Sequence, residues 1–145
     1  MKRQAISLMS LLSLLLVAGS AIAQSSPVKA NIPFDFTVAG KTVPAGTYSV
    51  GKLGQGHDPA LLLLQSKAGL HMIVESNAAE NRNGANKTKL VFNRYKDQYF
   101  LSEIWVQGAT SGRHLQKTGR EKEFAKQTAS ANLAHERVEI VAALY

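Results

Sequence analysis

Side chains able to do chemistry are thinly spread in this chain. It carries four histidines, His57, His71, His114 and His135, and no cysteine. None of the histidines forms an H-x-H or H-x-x-x-H pair, so the spacing does nothing to bring ligands to the roughly 2 Å that a metal centre requires. A cysteine nucleophile is impossible, and no G-x-S-x-G elbow is present to expose a serine. Asp97 and Glu103 come closest to a carboxylate pair, but on a straight strand they would stand roughly 20 Å apart. The sequence therefore predicts no catalytic residue, no metal and no cofactor.

Gly40-Lys41-Thr42 repeats the end of a nucleotide-binding P-loop. Such a loop needs a glycine five residues before Gly40 and a helix immediately behind. Asp35 stands at that earlier position, where its carboxylate repels phosphate, and Val43-Pro44 follows where the helix should run. The glycines are read as turning a sheet.

Two groups remain as candidate binding residues. Counting by twos places Tyr99, Leu101, Glu103 and Trp105 on one face of a strand. Amphipathic aromatics flanking a carboxylate can stack on a sugar ring or line a small pocket. Core packing is the competing use, and a buried Glu103 would then take Arg94 across the hairpin as its partner. The second group is basic: Arg113, Lys117 and Arg120 as anion binders, with His114, Lys122 and Lys126 nearby. Glu121 and Glu123 dilute its field and no aromatics interleave to stack bases, so no specific nucleic acid is expected and a solvated helix face competes.

These residues must be held by a β-rich scaffold. From Val28 to Val38 the chain alternates, with Ala30, Ile32, Phe34, Phe36 and Val38 on one parity and Pro33 on the outward one, which reads as an edge or bulged strand. Ala39-Gly40 and Val43-Pro44-Ala45-Gly46 are turns, the second closed by a left-handed Gly46. A hairpin is expected around Lys67-Ala68-Gly69, a polar loop from Asn77 to Asn86, and a second hairpin around Tyr95-Lys96-Asp97-Gln98. The strand after that turn is apolar on both faces, so it is central or lies beneath a helix. Thr118 and Glu121 form a capping box for a helix with a thin apolar face of Phe124, Ala125, Ala129 and Leu133. The last segment alternates again through Val138, Ile140, Ala142 and Leu144. Seven or eight short strands with one late helix predict a mainly β fold: a small antiparallel β-barrel, with a two-sheet β-sandwich as the alternative.

The first residues, Lys2 and Arg3, an apolar run from Ala5 to Ser20 and Ala21-Ile22-Ala23, follow the grammar of a cleavable export signal. The expected organisation is a signal peptide over 1–23, a flexible leader over 24–27 and a single β-rich domain over 28–145, destined for the periplasm or the extracellular space. Cleavage removes two basic residues and takes the formal charge from +7 to +5. Such a charge suits anionic envelope surfaces and also simple solubility. The residues sharing parity with Tyr145 include Glu139 and Arg137, which could not face lipid, so no membrane span is expected after cleavage.

Together, the stretches "VKANIPFDFTVAGKTVPAGTYSV", "LVFNRYKDQYFLSEIW" and "SGRHLQKTGREKEFA" resemble a family of small, uncharacterised secreted proteins of acidobacteria, with its F-x-F-x-V strand and P-A-G-T-Y turn. The resemblance covers nearly the whole chain after the signal and implies a β-rich export product. It supplies no catalytic residue. The family carries glycine where this chain has Lys96, which leaves the turn type there open. The functional expectation is an exported, non-enzymatic module, binding or structural in the cell envelope, with envelope polysaccharide or a small apolar ligand as partner. The alternative is a hydrolase-like enzyme whose site is assembled only in the fold.

Overall fold

A computed structural model describes residues 26–54 and 56–145; the expected signal peptide lies outside the described residues. Pro33 sets the first architectural event. Strand β1 (Val28–Ile32) buries Val28, Ala30 and Ile32, as alternation requires, and ends before the proline, which has no amide to donate. The chain then crosses to another sheet, where β2 (Phe36–Val38) buries all three of its residues. The single strand expected over 28–38 is thus two strands in two sheets.

Ala39 and Gly40 both take positive φ (48° and 80°), the pair of values that a two-residue hairpin turn demands, and connect β2 to β3 (Lys41–Val43). Gly40-Lys41-Thr42 therefore opens a strand, not a helix. The next turn is not closed by a left-handed glycine, since Gly46 is close to extended at φ 158°. It is held instead by the Asp35 carboxylate, which accepts from the Ala45 amide at 2.8 Å, and by the Tyr48 hydroxyl, which donates to the Pro44 carbonyl at 2.6 Å.

β4 (Gly46–Lys52), β5 (Leu61–Ser66) and β6 (His71–Glu75) follow as a meander. After it come β7 (Asn77–Glu80), β8 (Lys89–Tyr95), β9 (Gln98–Trp105), β10 (Ser111–His114), helix α1 (Gly119–Ser130), β11 (Glu136–Val141) and β12 (Ala143–Leu144). The first sheet runs β12-β1-β4-β5-β6 and the second β11-β8-β9-β10-β7, with β2 making a single parallel bridge to β9 through Thr37 and Phe100. Between them lies one core, in which Ile32, Tyr48 and Leu64 of the first sheet meet Leu90, Phe92 and Leu101 of the second.

Among the described residues no ladder closes these sheets into a barrel, so the sandwich alternative is the observed architecture. Two corners show why the barrel reading fails. At Ser76 the chain passes from β6 in the first sheet to β7 in the second, and both its amide and its hydroxyl donate to the Ala60 carbonyl at 2.8 Å. At Ala142 it passes back from β11 to β12, with the Ala142 amide donating to Thr88 at 2.9 Å. Strands that switch sheets at a bend join the layers without pairing their edges.

The central strands of the second sheet, β8 and β9, are buried on both faces over most of their length, as the apolar character of β9 required. The first sheet covers its inner face. Helix α1 covers part of its outer face, with Phe124 against Phe100 at 5.8 Å between centroids and Thr128 buried. Thr118 caps the helix by accepting from the Glu121 amide at 3.3 Å. Leu133, expected on the apolar face, falls beyond the helix and is exposed.

Candidate functional site

The expected aromatic face breaks at a β-bulge. Val91 pairs with Glu103 and Phe92 with Leu101, so Ser102 is an extra residue in β9. On one side of the bulge Tyr99 and Leu101 point into the core between the sheets, and on the other Ile104 takes that role. Trp105 is thrown to the outer face, where it packs with Val91 and Ala85. Tyr99 therefore does not share a face with Glu103 and Trp105. It stacks on Phe34 with ring centroids 3.8 Å apart, and the Arg94 guanidinium lies 5.5 Å from its ring.

Glu103 and Trp105 do meet. One oxygen of Glu103, Oε2, accepts from the Trp105 indole Nε1 at 2.8 Å and from Arg137 Nη2 of β11 at 2.8 Å. Arg94 is not its partner: that guanidinium pairs with Glu136 at 3.0 Å. Burial, the largest single influence, pushes the Glu103 carboxyl up. Hydrogen bonds from Arg137 and Trp105, with the charges of Arg137 and of His114 opposite it in β10, together outweigh burial and hold it below the usual glutamate range. Next to this pair, Glu139 is also held down, first by its hydrogen bond from Lys89.

The Trp105 ring lies close against the β10 backbone at Gly112. A Cβ there would come 2.5 Å from the ring and 2.8 Å from the Ile104 carbonyl oxygen, so only glycine fits. Above the exposed side of this assembly runs the loop from Asn81 to Asn86. The Asn81 amide donates to the Thr110 carbonyl at 2.8 Å, its side-chain amide donates to the Gly84 carbonyl at 3.1 Å, and Gly84 takes φ 70°. Loop and sheet enclose a groove of about 470 Å³ lined by Asn81, Asn83, Asn86, Glu103, Trp105 and Arg137, with Lys89 and Glu80 at its margin. Sequence reasoning treated the asparagine run only as a polar loop and left Arg137 unassigned. Arg137 lies 34 positions after Glu103, with β10 and α1 between them, so no spacing in the sequence ties the two together.

The three anion-binding candidates do not converge. Arg113 lines a separate pocket with Val28, Val50 and Ile104; Lys117 lies 5.8 Å from the Tyr95 ring; Arg120 donates to the Thr42 hydroxyl at 3.2 Å. Among the described residues no three of His, Asp and Glu gather as a metal site, and no helix is long and apolar enough to cross a membrane. The fold and groove define a two-sheet β protein with one outer face covered by a helix and an asparagine-rich loop. No family model, no curated protein and no solved structure matches this chain.

Proposed function

We propose that this chain is an exported, non-enzymatic binding module of the cell envelope, and that the groove over Trp105 receives a polyhydroxylated ligand such as envelope polysaccharide. The observation that carries the reading is the Glu103 carboxylate fixed between Trp105 and Arg137 beneath Asn83 and Asn86. A rigid ionised acceptor, held by the buried Trp105 indole and flanked by an arginine and side-chain amides, belongs to a set of groups that hydrogen-bond a polyhydroxylated ligand. The hydrolase alternative needs a general acid whose carboxyl is raised, and Glu103 and Glu139 are both lowered. The export signal grammar and the resemblance to secreted proteins support the envelope as the place of action.

Native gels containing soluble polysaccharide extracted from the producing envelope test the reading. Migration should be retarded, and replacing Asn83 and Asn86 together by Ala should weaken retardation about tenfold in polysaccharide concentration while leaving thermal stability unchanged. Loss of the neutral hydrogen bonds that two exposed amides make to a ligand accounts for that size. Equal retardation of the double variant excludes the groove, and release of reducing ends on long incubation replaces the binding reading by the hydrolase.

A further inference from the structure

Another pocket, of about 220 Å³, opens at the corner where β2, β9 and the lead into α1 meet. Its walls include Val38, Val74, Leu101 and Leu115, all buried. At its back stands Glu121, only 4% exposed. The Glu121 oxygen Oε1 accepts from Asn93 Nδ2 at 2.9 Å and from the Tyr95 hydroxyl at 3.4 Å. Its other oxygen, Oε2, bonds to none of the described residues. Every side-chain nitrogen or oxygen sealed from solvent among the described residues has a partner, so Oε2 is not sealed, and this is the pocket that Glu121 lines.

Three further facts bear on what the pocket holds. Glu121 belongs to none of the ion pairs among the described residues. The lining contains two carboxylates, Glu75 and Glu121, and no lysine, arginine or histidine, in a chain whose formal charge is +7. A purely structural role needs only the one acceptor that Asn93 and Tyr95 use, which glutamine would supply equally. The second oxygen is surplus to the fold. The first turn of α1, where Glu121 sits, favours negative charge without providing a cation. A carboxylate so buried normally has a charged partner, and here a ligand can bring it.

We infer that this pocket binds a small amphipathic amine, its ammonium on Oε2 of Glu121 and its apolar body against Val74, Leu101 and Leu115. A cavity of about 150 Å³ holds benzene, so this one has room for about nine non-hydrogen atoms. The inference is independent of the groove over Trp105, which shares no lining residue with this pocket.

Calorimetric titration of the purified protein with 2-phenylethylammonium chloride, against 2-phenylethanol as the uncharged probe of the same shape, tests it. The ammonium should bind at least about tenfold more tightly at neutral pH, the margin of a charge-assisted over a neutral hydrogen bond. Amide chemical-shift changes should fall on residues 37–39, 74–77 and 115–121. In Glu121→Gln the two probes should differ by less than about threefold, since the cationic preference is assigned to that carboxylate. Should that variant fail to fold, the two probes and the shift map on the unaltered protein still decide. Equal affinities, no binding of either probe, or shifts centred on Asn83 and Arg137 overturn the inference.

Discussion

Gly112 shows how much one missing methyl group governs. The Trp105 ring occupies the space a side chain would take there, and the nearest obstacles include the Ile104 carbonyl, which belongs to the rigid β9 ladder. Gly112→Ala should therefore cost about 1–3 kcal/mol, the range for forcing an extra carbon into a packed site. Trp105 is the only tryptophan, so its emission should shift to the red as the ring is displaced, and a denaturant titration followed at that emission reads both effects. An unchanged midpoint would mean that the ring has room to move. Glu103 and Trp105 were both legible as candidates, because amphipathic aromatics and an isolated carboxylate stand out in an apolar strand. Their partner Arg137 was not, because a charge on an alternating strand near the end of the chain looks like any solvated residue until β11 is placed beside β8.

At the scale of elements, alternation put Ala30 and Ile32 of β1 on one face, the turn at Lys67-Ala68-Gly69 located the β5–β6 hairpin, and the capping threonine located the helix start. It failed within β9, because a bulge costs one residue of phase and Ser102 carries no glycine or proline to announce it. The helix was placed but not its deepest contact: capping-box logic sends the Glu121 side chain back toward Thr118, whereas it turns in to Asn93 and Tyr95. The β8–β9 hairpin gives an element-scale prediction. Lys96 takes φ 54°, a left-handed value that favours glycine. Relief of that backbone strain exceeds the added freedom of the unfolded chain, so Lys96→Gly should stabilise by about 0.5 kcal/mol. Lys52→Gly in β4, where no positive φ is required, should instead destabilise by about 0.5–1 kcal/mol. Chemical denaturation of the two variants side by side checks the pair, and a loss of stability in Lys96→Gly would contradict it.

For the whole molecule, charge pairing on the outer face of the second sheet sets the response to acid. Glu103 and Glu139 both lie below 4.5, the ordinary glutamate value, in the folded chain. Groups lowered by folding contribute stability that is present above the unfolded value and is lost as pH falls through the folded one. Thermal midpoints should therefore decline below about pH 4.5. Arg137→Ala, which removes the principal cation beside Glu103, should lower the midpoint at neutral pH and flatten the decline in acid; a parallel decline in both proteins would count against the assignment. The mainly β class was legible from strand length and turn spacing. The choice between barrel and sandwich was not, because each corner turns on a single small residue, Ser76 or Ala142, with nothing in its type to mark a change of sheet.

The pairing of β1 with β12 orders events in time. Val28 and Leu144 face each other in antiparallel register although they are 116 positions apart along the chain. That edge of the first sheet stays open until nearly all of the chain has arrived, and contacts so distant in sequence form slowly. A chain emerging from its N-terminus can thus zip β1 onto β4 early, while the other edge of β1, at Val28 and Lys29, waits for the last strand.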